Sequence, residues 1–339
     1  MSYLNWAKQN SDQLPQMTCE LVLGEHEPSS YKAGDTINGH LLLNTSQPFY
    51  VYAIRVVLEG YAIVTSEGEK VKSKPDNFLK IGVDVLGQGI YLNATYVIFM
   101  FHFVHVTISS CTGKILACGE HHLSFAITIH PQNKVGELPG SMQTSHGFIT
   151  YKLVAYLKQE NKSHRQTEKS VSVLGFLNLS VFEPSLMTPV VYEKLQKSSS
   201  LSVFPSVLSK SRLKISLRLR KSGFLPGESI FFELNMSNPG NYEIVASSVT
   251  LVQKFTYNSG TTQKVQLFEI RSIETKVLQG STALWADSVI MDGCDGIVVS
   301  QSGIIIEISH FLKVRIKTNG PDEHFLMEVP LKIGSTKRN

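Results

Sequence analysis

A short motif occurs at two distant places in the chain. Residues Tyr31–Ile37 read YKAGDTI and residues Phe224–Ile230 read FLPGESI, and each copy leads into an apolar segment. Gly34 and Gly227 leave the backbone free to adopt positive φ, and the acidic residue after each glycine can accept hydrogen bonds from nearby amides. Each copy therefore predicts a tight turn followed by a strand, and a repeat on this scale indicates a duplication.

Two further pairs of segments repeat at a slightly shorter spacing. They are Gly119 with Leu123 against Gly280 with Leu284, and the alternating run 151–157 against the run 310–316. Alternation of apolar and polar residues is typical of half-buried strands. A chain of 339 residues with 42% hydrophobic residues has room for two cores. We therefore predict an all-β chain of two tandem immunoglobulin-like β-sandwich domains.

The border between the two domains is predicted at a polar segment. Residues 193–202 are rich in Ser and Lys and show no strand alternation, and a proline follows shortly. We assign residues 1–17 to an N-terminal extension, 18–183 to the first sandwich, 184–209 to a linker and 210–335 to the second sandwich. The linker is either flexible or docked as an ordered connection.

An apolar insert near residues 96–116 has no counterpart in the second half. The run 96–107 is the most apolar of the chain, but a membrane-spanning helix needs about 20 apolar residues and this run contains His102 and His105. A strand, a membrane span and an artefact of the gene model are three readings of the insert. Its β-branched and aromatic residues favour the strand.

The cysteine pattern indicates a reducing compartment. The four cysteines show no disulfide-like spacing, and the N-terminus has no apolar core of the kind that signal peptides contain. We therefore expect a cytoplasmic protein.

Neither a metal site nor a catalytic motif is expected. His102, His105, Cys111 and Cys118 are the nearest approach to a zinc shell, but their spacing is irregular. His121 and His122 follow, and adjacent residues of a strand point to opposite faces. The sequence lacks a dinucleotide-binding glycine motif, a phosphate-binding loop and a nucleophile elbow. We expect no cofactor and no enzymatic activity.

One strand of the second half carries the basic residues of the candidate site. The stretch 210–221 holds six positive charges and no negative one. A period of two places Leu213, Ile215, Leu217 and Leu219 on one face and basic side chains on the other. The candidate site on that second face consists of Arg212, Lys214, Arg218 and Arg220.

Two readings of this basic face are open. It can bind a phosphorylated or acidic receptor tail, or an anionic lipid head group, through charge-assisted hydrogen bonds. It can equally be a solvated outer face whose charge supports solubility. Six cations are too few for a nucleic-acid surface, so we expect no nucleic-acid partner.

A set of short motifs follows one order along the chain, five in the first half and two in the second. The motifs are Tyr31–Asp35, Val51–Val56, Gly119–Phe125, Leu138–Ser141, His146–Tyr151, Gly223–Glu228 and Met327–Gly334. With these motifs the chain resembles the arrestin family, and within it the arrestin-domain-containing proteins or α-arrestins. The resemblance spans about residues 19–335 and implies an arrestin N-domain and C-domain, each a β-sandwich.

The resemblance also implies a function. It indicates a cytosolic adaptor that binds the cytoplasmic regions of membrane-protein cargo, links them to endocytic or sorting machinery, and is recruited to the plasma membrane or endosomes. The alternative is an arrestin-fold structural subunit of a retromer-like sorting coat. Many α-arrestins recruit ubiquitin ligases through Pro-Pro-x-Tyr motifs. This sequence contains none, and Pro189–Tyr192 lacks the second proline, so ligase recruitment is doubtful.

Overall fold

The chain folds into two compact units that consist almost entirely of β-strands. The computed structural model describes residues 16–25, 27–65, 73–86, 114–130, 137–159, 162–195, 213–239, 243–260, 262–275, 281–292, 296–319 and 324–335. The first unit comprises residues 1–134 and 138–174, and the second comprises residues 135–137 and 175–339. In the described ranges, no helix is long and apolar enough to cross a membrane.

The first unit contains two main sheets. The strands before residue 175 are, in chain order, β1 (Met17–Leu23), β2 (Thr36–Thr45), β3 (Phe49–Val51), β4 (Ala53–Val64), β5 (Asp76–Leu86), β6 (Lys114–Leu116), β7 (Gly119–Thr128), β8 (Glu137–Leu138), β9 (Met142–Gln143), β10 (Gly147–Gln159) and β11 (Lys162–Val171). One sheet has the order β1-β2-β7 and the other β11-β10-β4-β5. Short pairs join β3 to β6 and β9 to β10.

The second unit repeats this arrangement. It contains β12 (Phe176–Leu177), helix α1 (Leu179–Phe182), a 3₁₀ turn (Pro184–Met187), β13 (Val190–Leu195), β14 (Lys214–Leu219), β15 (Gly223–Phe224), β16 (Ser229–Ser237), β17 (Ile244–Asn258), β18 (Gln263–Thr275), β19 (Thr282–Ile290), β20 (Ile306–Thr318) and β21 (His324–Ile333). The small sheet has the order β13-β14-β16-β19 and the large sheet β15-β21-β20-β17-β18. Side chains from both sheets form one buried core, as in a sandwich.

The duplication is confirmed by the order of the strands. The sheet β1-β2-β7 corresponds to β14-β16-β19, and the sheet β11-β10-β4-β5 corresponds to β21-β20-β17-β18. The cross-strand pairs agree as well, because Tyr151 pairs with Gly60 and His310 pairs with Gln253. Gly60 and Gln253 are as far apart in sequence as the two turn glycines, so the two large sheets superpose in the same register.

The two predicted turns have the same geometry. Gly34 has φ of 90° and Gly227 has φ of 88°. The Lys32 amide donates to Asp35 Oδ2 at 2.8 Å, and the Leu225 amide donates to Glu228 Oε2 at 2.9 Å. A glycine with positive φ at the third position, with proline before it in the second copy, fits a type II β-turn. Each turn leads directly into its strand, β2 or β16.

One of the sequence repeats is out of phase by one residue. Leu123 faces inward and pairs with buried Leu41, whereas Leu284 points to the outer face and is 62% exposed. The match between these two leucines identifies corresponding strands but is wrong about the face. The inward residue of β19 is the next one, Trp285, which packs against Phe232.

The predicted linker is partly ordered as a strand. Within residues 184–209, Val190–Leu195 forms β13, which pairs antiparallel with β14. Val190 and Tyr192 pack against the core of the second unit, so the segment has an apolar side that the Ser-rich residues after it obscured. The two units divide between Leu174 and Gly175. Residues 1–15, 87–113 and 196–212 lie outside the described residues, and with them most of the apolar insert.

A buried polar network anchors the segment before β20 to the large sheet of the second unit. Val298 N donates to Gln253 Oε1 at 2.8 Å, and the same oxygen accepts from His310 Nε2 at 3.0 Å. His310 Nδ1 then accepts from the Ser300 hydroxyl at 2.9 Å, and Ser300 Oγ accepts from Ile333 N at 2.8 Å. Every group in this chain of hydrogen bonds has a partner when the imidazole is neutral.

The network predicts a pH dependence of the second unit's stability. Burial, with a smaller effect of Lys332, lowers the pKa of His310 from 6.5 to about 4. Between those values the unfolded chain binds a proton that the folded unit does not bind. We expect the contribution of His310 to the free energy of unfolding to be complete above pH 6.5. This contribution, about 3 kcal/mol, should be lost as the pH falls to 4.

Hydrogen exchange of β17 and β20, measured against urea at pH 7 and pH 4.5, tests this expectation. The variant His310→Gln removes the titrating group and corrects for the carboxylates that titrate in the same range. We expect a clearly smaller pH effect in this variant. An equal pH effect in the variant and the unaltered chain would show that His310 is not responsible.

Candidate functional site

The candidate site lies on the outer face of the small sheet of the second unit. Leu213, Ile215, Leu217 and Leu219 are at most 1% exposed and face the core, as the alternation predicts. Lys214 and Arg218 therefore point outward from β14, and Arg220 follows the strand on an exposed bend. Arg212, the fourth predicted residue, lies outside the described residues. We call this surface the outer face; it is formed by β13, β14, β16 and β19.

Two of the three described cations on the outer face are paired with carboxylates of neighbouring strands. Lys214 Nζ lies 2.9 Å from Glu193 Oε2 on β13, and Arg218 Nη1 lies 3.6 Å from Glu233 Oε2 on β16. The outer face is therefore less cationic than the sequence of β14 alone indicates. Exposed pairs of this kind contribute at most about 1 kcal/mol each to stability.

Arg220 differs from the other two cations. In the part of the chain that the structure describes, no carboxylate lies within ion-pair distance of its guanidinium. Its Cζ lies 5.6 Å from the centroid of the Phe231 ring, a cation–π arrangement. Phe231 itself is 53% exposed. An unpaired guanidinium on an exposed aromatic ring is able to bind a carboxylate or phosphate and an apolar group together.

Two shallow depressions meet at Arg220 and Phe231. One has a volume of ≈ 570 Å³ and extends across the outer face to Ala286 and Ser288 on β19. The other has a volume of ≈ 450 Å³ and extends to Met187. Both are lined by Arg220 and Phe231, so this pair stands between two recesses that can each receive a side chain of a partner.

The outer face also exposes several large apolar side chains. They are Val191, Leu195, Phe231, Leu284 and Ile290, which are between 45% and 62% exposed. The corresponding sheet of the first unit provides an internal comparison. None of the described large apolar residues of β1, β2 or β7 is exposed to this extent. Exposed apolar groups concentrated on one sheet face are typical of a protein-binding surface.

Sequence analysis identified the cations but missed Phe231. The signal was present, because Ile230, Phe232 and Leu234 are the buried phase of β16 and Phe231 is the outward phase. The acidic partners Glu193 and Glu233 were not predictable, because they belong to other strands.

The zinc candidates do not form a cluster in the described ranges. Cys118 is exposed, and His121 and His122 lie on opposite faces of β7. His122 Nε2 lies 2.9 Å from Glu120 Oε1, and His121 Nε2 lies 2.8 Å from the Ala117 carbonyl oxygen. No group of three potential ligands is present among the described residues. His102, His105 and Cys111 lie outside them.

Adjacent phenylalanines test whether the outer face is dispensable for folding. Phe232 is 2% exposed and contacts Trp285 edge-on, with ring centroids 5.1 Å apart. We expect Phe232→Ser to destabilise the second unit by about 3–5 kcal/mol. Phe231→Ser should change the free energy of unfolding by less than about 1 kcal/mol. Urea unfolding measures both, and equal losses would show that Phe231 has a structural role.

Comparison with known proteins agrees with the two-unit structure. The arrestin (or S-antigen) N-terminal domain model matches residues 19–180, and the arrestin C-terminal domain model matches residues 209–338. Arrestin domain-containing protein 4 from Homo sapiens is 21% identical over 334 residues, which cover 94% of this chain and 71% of that protein. The Mus musculus protein of the same name is 21% identical over 340 residues, covering 93% and 71%. The chain belongs to the arrestin family.

Proposed function

We propose that this protein is a non-enzymatic adaptor that binds the cytoplasmic regions of membrane-protein cargo and connects them to trafficking machinery. Family membership supports an adaptor role of the arrestin kind. The proposal adds the place of contact, which is the outer face of the small sheet. The single observation that carries it is the Arg220 guanidinium over the exposed Phe231 ring between two recesses, with no carboxylate of the described residues within ion-pair distance.

The chemistry of the outer face selects the kind of cargo. Arg220 offers a guanidinium fork to a carboxylate or phosphate, while the two recesses and the exposed apolar residues accept neighbouring aliphatic or aromatic side chains. The cargo segment therefore carries an acidic or phosphorylated residue next to an apolar one. An anionic bilayer is a poorer match, because Lys214 and Arg218 are already paired with carboxylates.

Affinity capture from detergent-solubilised membranes tests the proposal. The unaltered chain is compared with Arg220→Glu and Phe231→Ser, which change the proposed contact without disturbing the core. We expect each substitution to reduce the recovered membrane proteins by roughly tenfold, because one reverses the charge and the other removes the apolar platform.

The duplication supplies a matched control. Asn38 of β2 occupies the position that corresponds to Phe231 of β16, and Asn38→Ser should leave the recovery unchanged. Recovery of the same membrane proteins by all variants would contradict the proposed contact. A stable stoichiometric complex on size exclusion would instead indicate the coat-subunit alternative, and binding to anionic vesicles without cargo would indicate a membrane-binding surface.

A further inference from the structure

The strand β19 ends the small sheet of the second unit. Among the described strands it pairs only with β16, in a register that runs without interruption from Ser229 with Ile290 to Ser237 with Thr282. Within the ranges that the structure describes, its other side is an open edge. An open edge exposes backbone donors and acceptors that another extended chain can use.

The hydrogen bonds at both ends of β19 show which residues face the open edge. Asn238 N donates to the Ser281 carbonyl at 2.7 Å, and Met291 N donates to the Glu228 carbonyl at 3.3 Å. Bonded and open residues alternate along an antiparallel edge strand. Odd-numbered residues between these two therefore bond to β16, and even-numbered residues face the open edge.

The central residues of the open edge are Leu284 and Ala286. Within the described part of the chain, the backbone N–H and C=O of both residues have no hydrogen-bond partner. The next open amide, Ser288 N, donates to its neighbour Asp287 Oδ1 at 2.8 Å. Two consecutive open residues offer up to four hydrogen bonds to an added strand.

Neighbouring edges carry protection that β19 lacks. The edge strand β18 of the large sheet contains Lys264, Glu269 and Arg271, and its register with β17 is broken by an irregularity. β19 contains no proline and no lysine, and Asp287 is its one charged residue. Charges and bulges on edge strands discourage pairing with other chains, so β19 is open to such pairing.

The first unit shows the protected version of the same edge. Ile129 N donates to the Asp35 carbonyl as Met291 N donates to the Glu228 carbonyl, so Ile129 and Met291 are equivalent. His122 lies 7 residues before Ile129 and Leu284 lies 7 residues before Met291, so His122 corresponds to Leu284. His122 is a polar residue whose Nε2 lies 2.9 Å from Glu120 Oε1, whereas Leu284 is an apolar residue that is 62% exposed.

We propose that the open edge of β19 binds an extended segment of a partner protein as an additional antiparallel strand. The outward side chains of that segment pack on Leu284 and Ala286 and are apolar. The residue of that segment opposite Asp287 lies one position beyond the residue opposite Ala286. Among the described residues, the Asp287 carboxylate has only neutral donors, Trp285 Nε1 and Ser288 N, so this residue of the segment is Lys or Arg. The inference uses the sheet edge and not Arg220, although Leu284 and Ala286 belong to the outer face that the cargo proposal also uses.

The test uses a fluorescein-labelled peptide that alternates Val with Lys and Thr, titrated against the full chain and followed by fluorescence anisotropy. Ala286→Pro removes the open N–H and places a ring on the edge, but spares the bonds to β16. We expect saturable binding by the unaltered chain and at least about tenfold weaker binding by Ala286→Pro. Ser124→Pro, at the equivalent position of β7, should bind as the unaltered chain does.

Backbone methylation of the peptide tests the same inference without altering the protein. Two peptides are N-methylated on alternate residues, one in each phase. Only the peptide whose methylated amides face β19 should bind more weakly, again by at least about tenfold. Equal binding of both phases, absence of saturable binding by the unmethylated peptide, or unchanged binding by Ala286→Pro would overturn the proposal. Concentration-dependent dimerisation that Ala286→Pro abolishes would identify a second copy of the chain as the occupant instead.

Discussion

In each unit, one glycine with positive φ determines where a strand begins and in which register the neighbouring strand of the small sheet pairs with it. Gly34 and Gly227 allow the acidic residue that follows to fold its carboxylate back onto the turn. The carbonyl of that acidic residue then accepts the first hydrogen bond from the partner strand, β7 or β19. A side chain at either glycine would strain the turn, and the register of the small sheet depends on the turn.

On this common framework the two units have diverged at equivalent positions. In the first unit, a Cβ added to Gly60 would lie 2.9 Å from Cε1 of the Tyr151 ring, which is too close, so only glycine fits at this position. In the second unit, Gln253 and His310 occupy these positions and form a polar network. The outer faces diverge in the same way, because one is polar and the other exposes apolar side chains. The binding that we propose for the second unit depends on this divergence, whereas the shared core sets only the fold.

Much of this could be predicted from sequence, and the limits have physical causes. Period-two alternation identifies the buried phase of β14 because it depends only on neighbours along the chain. The pairing of Lys214 with Glu193 and of Arg218 with Glu233 depends on strands that meet through tertiary structure, so the charge of the outer face was not readable from one strand. The repeat that matched Leu123 with Leu284 is off by one residue, and in a strand a shift of one residue moves a side chain to the other face.

We infer that each unit is an independent copy built on its own glycine turn. Hydrogen exchange under increasing urea measures the free energy of opening of β4 and β10 separately from that of β17 and β20. We expect Gly34→Val to lower the first value alone and Gly227→Val to lower the second alone, each by about 1–3 kcal/mol. A Cβ at Gly227 would meet no atom within 4 Å, so a clash of the Cβ itself does not contribute to the loss there. Equal losses in both units from either substitution would show that the units are not independent, and no loss from both would show that neither unit depends on its glycine turn.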